Sequence, residues 1–337
     1  MLVAPALDLT SLRNEVAAQY QIENLGEPLF VPKGEDSYSY ELTAADTRYF
    51  LKLYRREAPN AALAVSHSLR SEHGLHSVCA PLPTAAGELS WQFGSTSAAL
   101  FPFIAGQSLG ERGAAHTDAE SLGAIFAQLH GVPSEVAAGL PRESFDIKDL
   151  EKLKRYLEIL ATSSPFSSAV RVEVESLLAA HRLFVERVAL AIEKLQQSAL
   201  RASFPLVITH GDAHLWNIIS SDRGGLFVID WDLALLAPLE RDIAIFQDCH
   251  GGHYETLLQA YWSAGRNGEV AQPPGEDLCN FFVLRRTVRN LVYSLDKLAT
   301  QVLSHEECRY EVDGITRCFA ALARRLAVMN SCPNGLA

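Results

Sequence analysis

Hydrophobic and polar positions change period several times along the chain, and each change predicts an element. Leu12, Val16 and Tyr20 recur at four-residue steps behind the polar Asp8 and Thr10, which predicts a helix with one apolar stripe. Between Leu25 and Tyr54 the period falls to two. Tyr38, Tyr40 and Leu42 alternate with Ser39 and Glu41, and YFLKLY (Tyr49–Tyr54) is dense in β-formers. A small antiparallel sheet is the economical arrangement of such segments. Pro59–His73 returns to a helical composition, and AALFPFI (Ala98–Ile104) is an apolar run interrupted by Pro102. The first lobe is expected to end there, at residue 104.

Beyond Gly106 the pattern is mainly helical. Thr117, with Glu120 three positions on, predicts a capping box for TDAESLGAIFAQLHG, and Gly131 a stop. Val174, Leu177, Leu178, Phe184, Val185, Val188, Ile192 and Leu195 keep a 3.6-residue period, which predicts one long helix packed into a core. Two short apolar strands, LVITH (Leu206–His210) and LFVID (Leu226–Asp230), then interrupt the helices, with the turn residues SSDRGG between them. From Glu240 to Met329 the chain reads as helices again. The expected class is α+β, with a small antiparallel sheet in residues 1–104 and a larger, mainly helical region in 105–337.

Composition narrows the functional classes. A chain of 337 residues has room for two domains, and 48% hydrophobic residues suit a folded interior. The formal net charge of −11 opposes nucleic-acid binding and favours encounter with cations. No apolar run reaches the ~18 residues that span a bilayer, and the first residues lack a basic opening before an apolar core. Six dispersed cysteines without a CxxC pair fit a reducing compartment, so a cytoplasmic protein without membrane or nucleic-acid partners is expected.

The chemistry concentrates in HGDAHLWN (His210–Asn217) and the strand end VIDWD (Val228–Asp232). A strand delivers Asp212 into a loop, Asn217 follows five positions later, and Asp230 ends the next strand. A hairpin of the two strands can place the three side chains at one mouth. Phosphoryl transfer needs such a set: magnesium takes oxygen ligands and bridges phosphate oxygens, while a carboxylate orients the attacking hydroxyl and accepts its proton. His210 and His214 lack the further spaced ligands that zinc requires.

HGDAHLWN followed by IDWD resembles the catalytic loop and metal-binding segment of the aminoglycoside phosphotransferases, which share the two-lobed fold of protein kinases. DWDLALLAPLERDIAIF (Asp230–Phe246) is similar in particular to the spectinomycin branch. The resemblance implies that Asp212 is the catalytic base and that Asn217 and Asp230 bind Mg2+. It makes Asp242 a structural support of the loop; His210, for its part, is expected to pack and hydrogen-bond within the loop as a structural support and not to transfer protons. It also assigns Lys52, in FLKLY, to the α- and β-phosphates of ATP or GTP. FVPKGEDSYSYE, with Gly34 and Ser37, takes the phosphate-covering position, and Phe101, Phe103 and Ile104 lie in the connector that holds the base. The pattern departs from the family at the acidic partner of the lysine: the helix expected to carry it reads Ala61, Ala62, Leu63, with Glu57 and Glu72 as the nearby alternatives.

The acceptor implied is a small, cationic, polyhydroxylated molecule. Carboxylates suited to its ammonium groups are Asp232, Asp248, Glu255, Glu276, Asp277 and Asp296, and Asp232 is equally suited to a salt bridge with Arg241. Tyr254, Tyr261, Trp262 and Tyr293 can wall a sugar or cyclitol ring. An amino alcohol or glycated amine of the cell's own metabolism fits the same motifs. A nucleotide-binding protein without catalysis is the third expectation, resting on the missing glutamate alone.

Overall fold

The computed structural model of the chain describes residues 4–32, 37–137, 139–159, 165–167, 170–249, 251–265 and 274–331. In chain order come helix α1 (Leu9–Tyr20), strands β1 (Leu29–Val31), β2 (Ser37–Ala44) and β3 (Thr47–Tyr54), helix α2 (Asn60–Ser71), and strands β4 (Trp91–Phe93), β5 (Thr96–Pro102) and β6 (Gly106–Ser108). Helices α3 (Leu109–Arg112), α4 (His116–His130), α5 (Lys148–Ile159), α6 (Arg171–Ala180) and α7 (Arg182–Arg201) follow. Four short strands, β7 (Val207–Thr209), β8 (Ile218–Ser221), β9 (Leu226–Val228) and β10 (Leu235–Ala237), precede helices α8 (Glu240–Cys249), α9 (Tyr254–Ala264), α10 (Glu276–Thr300) and α11 (His305–Ser331).

The chain divides into two units, each built from two separate segments. One comprises Met1–Glu143 and Leu206–Ala271, the other Ser144–Pro205 and Gln272–Ala337. The short strands β7 to β10 lie in the same unit as the N-terminal sheet.

In the first unit the predicted sheet is antiparallel and five-stranded, in the order β1-β2-β3-β5-β4. Alternation gives it two different faces. Tyr40, Leu42, Leu51, Leu53, Leu100 and Trp91 form a core with Leu12 and Val16 of α1, whose first turn is capped by the Asp8 carboxylate accepting from Ser11 N–H at 3.0 Å. The opposite face carries Lys52 and Tyr54 of β3, flanked by the buried Ser37, Ser39 and Ala99. Strand β4 is an addition: WQF is too short for alternation to reveal it.

Three sequence expectations need correction. LVITH and LFVID do not form one hairpin: β7 pairs with β10, whereas β9 pairs with β8, which in turn pairs with β6. Strands of three or four residues carry too little pattern to specify a partner. The long helix predicted over 174–195 is two, α6 and α7, broken at His181, whose ring stacks on Phe319 at 4.0 Å. Helix α4 begins at His116, and its N-terminus is held by Asp118 accepting from Ala115 N–H at 2.7 Å rather than by Thr117 and Glu120. Arg112, 2.8 Å from Asp118, fixes that carboxylate. Gly131 does end the helix.

The second unit packs α5, α6, α7, α10 and α11 around residues such as Leu153, Ile192, Phe281, Leu291 and Ile315, all fully or almost fully buried. No helix among the described residues is long and apolar enough to cross a membrane.

Candidate active site

Strand β3 is the middle strand of the five, and a long side chain there is surrounded on its own face. Lys52 is accordingly only 9% exposed. A buried ammonium needs counter-charge. Its Nζ donates to Asp230 Oδ1 at 2.7 Å and to Asp232 Oδ2 at 3.1 Å, across 178 and 180 residues of sequence. Burial alone would lower the lysine's pKa, but the two carboxylates outweigh it and the ammonium stays protonated. The acidic partner left open by the sequence is therefore in the strand-end segment and not in α2. Ala62 and Leu63 are buried, Glu57 is exposed, and Glu72 accepts from Ser68 Oγ at 2.9 Å.

The two aspartates are not equivalent. Asp230 has φ +65, a left-handed conformation uncommon for a residue other than glycine, and its side chain is 43% exposed against 23% for Asp232. Burial pushes Asp230 up, but the Lys52 charge and hydrogen bond bring it below the usual carboxylate range. Asp232 is raised, first by desolvation and further by the neighbouring Asp230, with Lys52 opposing. Tyr54 Oη donates to Asp232 Oδ1 at 3.4 Å. The sequence reading missed Tyr54, although two residues beyond Lys52 on one strand places it on the same face.

The loop after β7 is fastened at both ends. His210 is fully buried; its Nε2–H donates to the Ile229 carbonyl at 2.9 Å and its Nδ1 accepts from Asp212 N–H at 3.2 Å, which fixes the neutral tautomer. Its ring meets Trp231 edge to face at 4.7 Å. Asn217 Nδ2 donates to the Asp212 carbonyl at 2.9 Å, and Ile229 N–H donates to the Asn217 carbonyl at 3.0 Å. Asp212, Asn217 and Asp230 are thus tied into one backbone framework. Asp212 Oδ2 lies 3.6 Å from His214 Nε2.

Asp242 is the brace. Its carboxylate, fully buried at the start of α8, accepts from His210 N–H at 2.9 Å, Gly211 N–H at 2.7 Å and His130 Nε2 at 3.2 Å. His130 Nδ1 in turn meets the Tyr261 hydroxyl at 2.9 Å, so Tyr261 is a buried structural group and not a wall for an acceptor. Arg241, next to the brace, donates to Thr209 Oγ1 and to the Leu233 carbonyl, with Glu143 Oε2 at 3.8 Å, so the sequence's alternative of an Asp232–Arg241 salt bridge is not what pairs Asp232 here. Gly211 has φ +80, and a Cβ there would lie 1.9 Å from the Arg241 guanidinium, which its own partners prevent from retreating. Gly211→Ala is expected to lower stability by about 2–4 kcal/mol and to reduce activity with it, as read from urea unfolding and turnover of the same preparation.

Phe101 belongs to a cluster with Tyr54, Leu63, Cys79 and Ala99, against which Phe50, Ile104 and Ile229 pack. Phe103 sits under the Arg48 guanidinium at 3.7 Å, and Ser37 is buried opposite Tyr54. Gly34 lies outside the described residues. Asp248 is exposed on α8 and Tyr254 half-buried at the start of α9; neither is a hydrogen-bond partner of Lys52, Asp230 or Asp232. In the second unit Asp296 is engaged by Lys152 at 2.5 Å and by the Tyr156 hydroxyl at 2.6 Å. An unexpected feature is Trp216, more than half exposed beside Asn217 and seated against Gly110, where a Cβ would meet its ring at 2.5 Å.

Among the described residues no group of three or more His, Cys, Asp and Glu side chains is poised to hold a metal. Asp230 and the Asn217 amide oxygen are two oxygen donors, the sparse set with which Mg2+ is held when phosphates complete its shell.

Comparison with known proteins agrees with this arrangement. Protein StrN of Streptomyces griseus is 26% identical over 234 residues, 66% of this chain and 70% of that protein. A spectinomycin phosphotransferase in complex with ADP and spectinomycin superposes with a TM-score of 0.80 at 17% identity, covering 95% of this chain and 99% of its own. Amicoumacin kinase hAmiN, in complex with AMP-PNP, Ca2+ and Ami, gives 0.66 at 15% identity over 93% and 94%. At such identities the two structures establish the fold: a two-lobed, kinase-like α+β protein. The sequence pattern of the phosphotransferase enzyme family (APH) matches residues 29–273, from β1 to beyond α9 and through Lys52, the Asp212 loop and Asp242, and this chain belongs to that family.

Proposed function

We propose that this phosphotransferase moves the γ-phosphate of ATP or GTP to a hydroxyl of an aminoglycoside or aminocyclitol, spectinomycin being the leading candidate. The observation that carries the reading is the 2.7 Å contact between Lys52 of the sheet and Asp230 of the strand end, which joins a phosphate-binding cation to the framework of Asp212 and Asn217. Residues 1–104 would hold the nucleotide and 105–337 the catalytic loop and the acceptor.

In the reaction the acceptor oxygen forms a bond to the γ-phosphorus as the bond to the β-γ bridging oxygen breaks, and the hydroxyl proton passes to an Asp212 oxygen. Lys52 offsets charge on the α- and β-phosphates, and Phe101, Phe103 and Ile104 of the connector are proposed to hold the base. Mg2+, held by Asn217 and Asp230, would neutralise phosphate charge when bound. The protein's own contribution is positioning, which the His210 and Asp242 hydrogen bonds supply. Asp248 and Tyr254 are proposed for the acceptor, whose ammonium groups need carboxylates. The spectinomycin assignment draws support from the fold likeness to the spectinomycin phosphotransferase.

Acceptor-dependent ADP release, measured with Mg2+ and ATP or GTP against spectinomycin, other aminoglycosides and a pool of small metabolites, tests the reading. Turnover with spectinomycin is expected. Turnover with the metabolite pool alone would move the acceptor to endogenous metabolism. Nucleotide binding without turnover on any acceptor would overturn the enzyme reading.

A further inference from the structure

Helix α2, NAALAVSHSLRS, contains no carboxylate, yet Lys52 is buried and fully charged. Two aspartates share that single ammonium, and their surroundings divide the work between them. Asp232 has a different donor on each oxygen, Tyr54 Oη at Oδ1 and Lys52 Nζ at Oδ2. Its neighbour Asp230 is the more exposed, at the left-handed turn of the chain, and is the one suited to a cation. A carboxylate that neutralises the lysine and itself accepts from a hydroxyl holds the end of a flexible four-carbon side chain in one place, so that less freedom remains to be lost when a phosphate binds.

We propose that Asp232, fixed by Tyr54, is the anchor of the Lys52 ammonium in this chain and takes the place of an acidic residue in α2. Asp232 is a positioning residue: it acts on the nucleotide through Lys52, and the proposal rests on Lys52 being the phosphate contact. Asp230 is left to the metal without Lys52 losing its partner. Tyr54 completes the arrangement, since its ring also lies 5.9 Å from the Lys52 nitrogen, as the Phe101 ring does at 5.8 Å.

The test is a double-mutant cycle on binding, independent of any acceptor. Affinity for ADP with Mg2+ is measured by calorimetry for the wild type, Asp232→Asn, Lys52→Met and the double variant, with thermal unfolding of each. Asp232→Asn is expected to weaken ADP by about tenfold in the wild type and to have no further effect beside Lys52→Met, the coupling expected of two groups in contact. Tyr54→Phe, which removes only the hydroxyl, is expected to give a smaller loss, absent in the Asp232→Asn background. An equal loss from Asp232→Asn with and without Lys52 would overturn the proposal, because Asp232 would then act on its own. Should Asp232→Asn unfold the protein, the Tyr54→Phe cycle with Lys52→Met decides in the same way. A wild type that binds ADP, with Lys52→Met no weaker, refutes the anchor while leaving a phosphotransferase. A wild type that binds neither ADP nor GDP removes the functional reading and the anchor together.

Discussion

Asp212→Ala is expected to lower acceptor-dependent phosphoryl transfer by about 10³-fold or more while leaving ADP affinity unchanged. The substitution removes the proposed proton acceptor together with its 3.6 Å contact to His214 Nε2. The loop is held through backbone atoms: the Asp212 N–H donates to His210, and the Asp212 carbonyl accepts from His214 N–H at 2.8 Å and from Asn217. None of these contacts uses the Asp212 side chain, so alanine keeps the framework. ADP release with the best acceptor, set beside calorimetric ADP binding, separates the two quantities. Full activity in the variant would dispose of the mechanism, and loss of nucleotide binding in parallel would mean that the loop had collapsed.

Asp242→Asn is expected to cost about 3 kcal/mol of stability and most of the activity. One carboxylate receives the His210 and Gly211 amides and His130 within a fully buried pocket. An asparagine offers one acceptor oxygen and turns an NH2 donor towards groups that are themselves donors. The pH dependence has a definite sign. Burial tends to raise the Asp242 pKa, but the hydrogen bond and charge of His130, with the Arg241 guanidinium, hold it below the usual range. Its contribution is therefore present above the unfolded carboxyl value of about 3.9 and is lost as pH falls through the folded value. Urea unfolding of both proteins at neutral pH and below pH ~4 should show the gap between them narrowing with acid. A gap that persists undiminished would show that the carboxylate's charge contributes nothing.

Much of this site is legible in sequence because its chemistry is local. HGDAHLWN and IDWD are short, and their residue types are individually uncommon in such an order, so Asp212, Asn217 and Asp230 stand out before any fold is known. The lysine's partner is not legible, since the contact joins residues on opposite sides of most of the chain and no local pattern records it. The pairing of β7 with β10 is invisible for the same reason that β4 is: three residues do not carry a period. The break at His181 escapes notice because the apolar positions on either side of it still fit a single 3.6-residue repeat. The brace at Asp242 was legible through resemblance, whereas the Tyr261–His130 link behind it required packing to be seen.

The first unit is assembled from two stretches of chain with 62 intervening residues, 144–205, in the second. That interruption has a consequence during synthesis. When β3 leaves the ribosome, the two carboxylates that pair Lys52 in the finished protein have not been made, and Asp230 follows only 178 residues later. At the usual rate of about 5–20 residues per second this is a wait of roughly 9–36 s. Throughout it the centre of the sheet must accommodate a solvated ammonium where the finished protein has a buried ion pair. The N-terminal sheet is therefore expected to remain protease-sensitive on the nascent chain until the Asp230 segment has emerged, whatever its intrinsic speed of folding.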